Sequence, residues 1–271
     1  MTSHNGMTSH NANDVNDADG ATDLDSAKDL NSTNDLSSAS AADDEIRSRT
    51  LRIGILGTGA MAVALGGAWV RAGHEVMVGG RNAAAAAKAA AGIGAAGHGS
   101  LVEAARYGEA VLVAVPADVA PQLAKELASD LAGRTVLDCT VPMALAADGP
   151  ALTTAGGTDS VAVRLADAAP DAGVAKVFGV PHESIWTLRR PAFEGAPLAV
   201  PFCTDAPLAA ALTAELITSM GCVPLPCGGL HRAALLEAAA VFAIGVWWSG
   251  GEARHAFPAP ALAPGAVDDA P

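Results

Sequence analysis

Short runs of consecutive apolar residues alternate, from position 51 onward, with longer stretches in which apolar and small residues recur at helical spacing. Residues 51–56 (LRIGIL) predict a buried strand, and MAVALGGAWVRAG beyond them predicts a helix closed by Gly73. Residues 74–79, 110–115, 135–138 and 174–178 predict further strands. Between them, 83–91, 119–129 and 161–168 predict helices, the second with Leu123 and Leu127 turned inward. Residues 198–203 and 222–225 predict short strands around a helix at 207–220, one more unit extending the sheet. A last helix runs from His231 to about Trp248, apolar around most of its surface, as suits burial between a domain and a partner subunit. Strands alternating with helices in this way predict an α/β fold with a mostly parallel, doubly wound sheet, additional C-terminal α/β elements and a long helix.

The turn after the first strand reads Gly57-Thr58-Gly59-Ala60-Met61-Ala62, a GxGxxA pattern. Gly57 permits the tight turn, Gly59 lets a pyrophosphate approach the backbone, and Ala62 keeps the helix close to the sheet. Backbone donors at the helix start would face the phosphates. The pattern, with its flanking strand and helix, predicts a Rossmann-type dinucleotide-binding domain.

The second strand ends in Val78-Gly79-Gly80-Arg81-Asn82, with no acid to hold ribose hydroxyls and an Arg placed to meet a 2′-phosphate. A guanidinium can pair with phosphate where a carboxylate would repel it. The cofactor expected is therefore NADP(H), held by Gly57, Thr58, Gly59, Ala60, Met61, Gly80 and Arg81. Ligands in such sheets lie beyond the carboxyl ends of the strands. Val115 and Pro116 after one strand, and Thr140 after another, are expected along the path from adenosine to nicotinamide.

Composition sets limits on partners. The net charge is −13, which argues against nucleic acid, since phosphate backbones need a concentrated positive surface. Much of that charge lies in residues 1–48, an acidic polar leader that lacks the apolar residues to order itself. The leader has neither the basic start and apolar run of an export signal nor the basic character of a mitochondrial presequence, so a cytoplasmic location is expected. Cys139, Cys203, Cys222 and Cys227 form no CxxC and no metal pattern, and reduced thiols are expected. Glu237 interrupts the apolar stretch 233–248, so a helix buried in protein is expected there rather than a membrane span. The organisation expected is a disordered leader (1–48), an NADP-binding domain (49–180), a smaller substrate and dimerisation region (181–250) and a flexible Pro/Ala-rich tail (251–271).

In the second half, His182 and His231 are the candidates for a catalytic proton donor, because imidazole titrates near neutrality. Glu183, Trp186 and Arg232 are weaker candidates. Asp138 reads as structural, and Glu237 as a local pair or a helix-packing residue. No carboxylate pair, nucleophile–base pair or metal triad can be assembled from spacing. Hydride transfer between two rings needs alignment more than it needs a protein acid.

Six blocks in order, RIGILGTGAMAVAL, AGHEVMVGGR, AVLVAVP, VLDCTVP, VAKVF and GGLHRAALLE, resemble the deazaflavin (coenzyme F420)-dependent NADP oxidoreductase family. The resemblance implies a homodimer in which NADP crosses the Rossmann domain and a deazaflavin co-substrate sits against its nicotinamide for direct hydride exchange. It implies that Thr58 and Arg81 meet the 2′-phosphate, Val115-Pro116 lie beside the cofactor, the Thr140 loop lies near the nicotinamide, and the region after Phe178 lies near the second ring. The chain departs from the family pattern at Gly80, where Ser is common, and at Val141 and Gly179, where Asn is common. Two alternatives stand beside deazaflavin use: reduction of a small imine or ketone by NADPH, and a non-catalytic NADP-binding regulatory protein.

Overall fold

The structure, a computed structural model, describes residues 49–253; the leader (1–48) and the tail from 254 on lie outside the described residues. Strand β1 (Arg52–Leu56) feeds helix α1 (Ala60–Arg71), and β2 (Glu75–Gly79) feeds α2 (Ala83–Ile93). A short β3 (Gly97–Gly99), α3 (Leu101–Tyr107), β4 (Ala110–Val113), α4 (Ala120–Glu126), α5 (Ala128–Leu131) and β5 (Thr135–Asp138) follow. After the hairpin of β6 (Met143–Ala146) and β7 (Gly149–Leu152) come α6 (Val161–Ala168) and β8 (Gly173–Val177). A 3-10 turn (Glu183–Thr187) and a small hairpin, β9 (Ala192–Phe193) with β10 (Ala196–Pro197), precede β11 (Ala199–Cys203), α7 (Pro207–Ser219) and β12 (Val223–Pro226). The chain then enters α8 (Ala233–Trp248) through a 3-10 turn (Leu230–Arg232).

Eight strands form one sheet in the order β3-β2-β1-β4-β5-β8-β11-β12. The first six are parallel and carry the doubly wound order, in which the chain reverses direction between β1 and β4. β11 runs antiparallel to β8, and β12 parallel to β11. Residues beyond 180 therefore extend the first domain's sheet, and the described residues belong to one compact unit.

Both sheet faces are covered, as parallel strands require. Trp69 of α1, Ala90 of α2 and Leu216 of α7 pack on one face; Ala104 of α3, Leu123 of α4, Leu165 of α6 and the start of α8 pack on the other. The parallel strands are buried nearly throughout, so they read in sequence as continuous apolar runs. Helix α3 lies so close to β1 that a Cβ on Gly54 would stand 2.0 Å from the Ala104 carbonyl oxygen.

Helix α3 and β3 escape the hydrophobic pattern because both are short and β3 reads GHG. The α3 start was nevertheless written in SLVE: Ser100 accepts from the Glu103 amide and Glu103 from the Ser100 amide, a capping box. The segment Leu230–Trp248 is long and apolar enough to cross a bilayer by length and composition, with mean hydropathy 1.4. It packs against β7 and β11, and its Glu237 is buried in an ion pair with the sheet.

Candidate functional site

The groove over the carboxyl ends of β1, β2 and β4 has a volume of 800 Å³. It is floored by Gly57, Thr58 and Gly59 and walled by Gly80, Arg81, Val115 and Pro116. Three sequence-distant turns thus meet at one place because β1 stands between β2 and β4 in the sheet.

Gly57 sits at φ 132°, and a Cβ there would lie 2.2 Å from the Ala114 carbonyl oxygen, so this turn admits no side chain. Gly59 differs: a Cβ on it would meet no protein atom within 4 Å, which leaves open space directly above the helix start. Gly59 is also the N-cap of α1, with no side chain capping it and no acid in the first turn. The first amides of a helix lack intrahelical partners and carry partial positive charge, so this end is built to accept an anion. These features fit a dinucleotide pyrophosphate.

Arg81 is exposed, and no carboxylate pairs with it among the described ion pairs. Its neighbour Asn82 caps α2, accepting from the Ala85 amide at 3.0 Å, which fixes the backbone that presents Arg81 to the groove. A Cβ on Gly80 would come 2.9 Å from the Thr58 methyl, so the position where Ser is common in the family is packed tight against Thr58. Glu126, on the far wall, already accepts from Gln122 at 2.9 Å.

The remaining expected residues fall elsewhere. Ala60 borders a second groove of 650 Å³ alongside α1, with Gly67, Glu183, Ser184 and Thr187. Met61 packs against the core beneath the helix. Thr140 is buried and borders, instead of this groove, a small internal space shared with Lys176, Gly179 and Glu237. The structure brings neither His182 nor His231 to the groove. His182 caps the 3-10 turn at Glu183–Thr187, its Nδ1 accepting from the Ser184 amide at 3.3 Å, and its Nε2 lies 3.1 Å from Glu183. His231 lies exposed at the turn before α8, its ring against Gly229.

The segment after β8 is fastened to α1. Phe178 adopts φ 64°, rare for a side-chain-bearing residue, and turns its ring between Trp69 and Trp186, edge-on to each at 5.7 and 5.2 Å. Arg71 donates to the Trp186 carbonyl at 2.8 Å. Trp186 is therefore core, 1% exposed, rather than a platform for a flat ring. Gly179 lies where a Cβ would sit 3.5 Å from the Thr140 carbonyl oxygen and 3.7 Å from a Val141 methyl. The family departures at 141 and 179 thus fall side by side.

Beneath this loop is a charge cluster that spacing did not assemble. Lys176 Nζ donates to Asp138 at 2.9 Å and to the Thr140 carbonyl at 2.5 Å, and lies 3.2 Å from Glu237. All three side chains are buried. Asp138 also accepts from the Thr140 amide, and Glu237 from the Val161 amide at the start of α6. Burial alone would lower the Lys176 pKa, but Asp138 and Glu237 outweigh it and raise it, so the ammonium is retained. Burial raises the Glu237 pKa while Lys176 pulls it back. Glu237 thus pairs across the fold, not locally. A lysine in the apolar run VAKVF and a lone acid in AALLEAAAV were the available signal, since buried charges need partners. Burial pushes the Cys139 thiol up to about 12, which leaves it inert as a nucleophile. Among the described residues no His, Cys, Asp and Glu group forms a metal site.

Residues 52–142 match the model of the family described as NADP oxidoreductase coenzyme F420-dependent. A comparison with curated proteins gives no match. Among solved structures, a putative F420-dependent NADP reductase from Arthrobacter sp. FB24 is similar at 23% identity and a TM-score of 0.65, over 74% of this chain and 96% of that one. A hypothetical protein from Sinorhizobium meliloti is similar at 22% identity and 0.59, over 71% and 91%. A reductive aminase from Aspergillus terreus, in complex with NADPH and ethyl levulinate, is similar at 18% and 0.53, over 74% and 63%. At these identities the structures show a shared Rossmann-like fold. The match over 52–142 takes in both turns of the Gly57–Arg81 groove, so it is the dinucleotide-binding part of this chain that is similar to the coenzyme F420-dependent NADP oxidoreductase family.

Proposed function

We propose that the protein is an NADP(H)-dependent oxidoreductase that exchanges a hydride between NADP(H) and a deazaflavin coenzyme or a similar conjugated small molecule, as a cytoplasmic homodimer. The observation that carries the reading is Arg81, free of any carboxylate partner among the described residues, in one groove with Thr58 and the uncapped start of α1. Arg81 and Thr58 hold the 2′-phosphate, the first amides of α1 hold the pyrophosphate, and Val115 and Pro116 bound the path toward the nicotinamide. NADPH, when bound, supplies the hydride. The chain's own part is alignment and exclusion of water, which matches a groove into which neither candidate histidine projects.

The four thiols are unpaired, which supports a reducing compartment. Leu235 and Trp248 of α8, and Leu145 of the hairpin against it, are 56%, 66% and 65% exposed, which supports pairing of two copies over this face. Reduction of a small imine or ketone is the second reading. It is favoured by Gly179 and Val141, which together remove two polar side chains common in the family at the loop after the sheet.

The test is to mix the protein with NADPH and oxidised deazaflavin and follow both chromophores. Matched loss of the two supports deazaflavin use. NADPH binding without turnover sinks it and directs the search to imines and ketones.

A further inference from the structure

Away from the NADP groove, a cavity of 520 Å³ opens beside the C-terminal ends of α1 and α7. Its walls include Arg71, Arg189, Arg190, Ser219 and Trp186, and no carboxylate. Helix α1 is twelve residues long, which at its rise per residue puts this cavity about 17 Å from the phosphate-binding turn. Arg71 also borders the groove that runs back along α1 to Thr58 and Gly59, whereas Arg189 and Arg190 border this cavity and neither groove.

The charge balance here is unusual for a chain of net charge −13. Two helix C-termini end at the cavity and bring roughly −0.5 each. Three guanidinium groups, permanently charged, face that with +3. None of the three forms an ion pair with a described residue. A surplus of about two positive charges remains after the helix ends are answered, so capping of the helices does not account for all three arginines. Arg71 is anchored, donating one Nη to the Trp186 carbonyl and keeping its other donors. The Arg190 stem lies over Gly221, where a Cβ would stand 3.0 Å from it, so that absent side chain makes room for the arginine. Trp186 is 1% exposed, and its indole N–H has no partner within the described structure. Forked donors with surplus charge, one of them anchored at Arg71, are what an oxyanion requires.

We propose that this cavity is a second ligand site, for a small dianionic oxyanion such as inorganic phosphate or a dicarboxylate. The test is calorimetric titration of the full chain, in a buffer free of both, with inorganic phosphate and separately with succinate, each with and without excess NADP+. The expected result is one dianion per chain whether or not NADP+ is present, weakened by added salt and at least tenfold weaker in Arg189→Ala/Arg190→Ala, with NADP+ affinity unchanged in that variant. Preference for phosphate or for succinate tells which chemistry the site serves. Absence of saturable binding, binding abolished by NADP+, or binding as tight in the double variant as in the parent overturns the proposal. So does a variant whose only change is in thermal stability, since that is the result expected if the arginines merely cap the helices.

Discussion

Replacing Lys176 by Met removes the cation from a cluster whose members are 2%, 0% and 1% exposed, at Lys176, Asp138 and Glu237 respectively. Methionine keeps the shape and the apolar stem, so the change isolates the charge. Asp138 and Glu237 then face each other in a dry interior without a counterion, and the Thr140 carbonyl loses its donor. Breaking a buried pair from one side costs about 3–5 kcal/mol, most of it from the charge left behind. For a folded region of this size each kcal/mol is worth about 2–4 °C, so the midpoint should fall by about 6–20 °C. Urea and thermal denaturation followed by circular dichroism measure both quantities. Glu237→Gln provides the contrast. It leaves one acid against one base and can still accept from the Val161 amide, so its cost should stay within about 1 kcal/mol. In combination with Lys176→Met it should recover part of the loss. A Lys176→Met cost below about 1 kcal/mol would show that the cluster is not a buried charge network, and the reasoning would fail.

Three further outcomes follow from the geometry. Burial holds the His74 pKa below its ordinary 6.5, so its stabilising contribution is complete above that value and is lost as pH falls through the folded one. Its ring joins the Leu51 amide to Ser219; His74→Gln should flatten the loss of stability as pH falls below 6.5, measured by urea midpoints across pH. Gly54→Ala should destabilise by about 1–3 kcal/mol or more, because a Cβ there meets the Ala104 carbonyl oxygen at 2.0 Å and α3 must move off the sheet; denaturation at the parent's level would contradict it. Gly57→Ala should lose NADPH binding by calorimetry and lower the thermal midpoint, since φ 132° and the 2.2 Å approach to the Ala114 carbonyl leave the turn no conformation for it.

The sheet was legible because parallel strands buried on both faces leave uninterrupted apolar runs, as in AVLV of β4 and TVLD of β5. The phosphate-binding turn was legible for a related reason: the backbone at Gly57 and Gly59 does the work, and only glycine permits it. The hairpin β6–β7 was not legible, because its strands lie off the main sheet and β6 is exposed along its length. The site beyond the cofactor was read less well. His182 read as a candidate acid, and the fold sets it outside the groove, with Nδ1 on the Ser184 amide and Nε2 beside Glu183. Thr140 follows a strand in the expected place, yet it is buried, its carbonyl accepts from Lys176, and it borders a small internal space and not the groove. Such assignments depend on which way a loop turns after a strand, and that is decided by partners such as Lys176, which lies in another strand. Arg81 was read from its position at the end of β2, and the structure places it in the groove beside Thr58.

The most direct measurement is a calorimetric titration of the parent and of Arg81→Ala with NADPH and with NADH. The account predicts that the parent binds NADPH more tightly, and that Arg81→Ala loses about ten- to a hundredfold in NADPH affinity, the worth of a charged hydrogen bond, while NADH binding stays the same. Equal affinity for the two cofactors in the parent, or an NADPH affinity indifferent to Arg81→Ala, would contradict it.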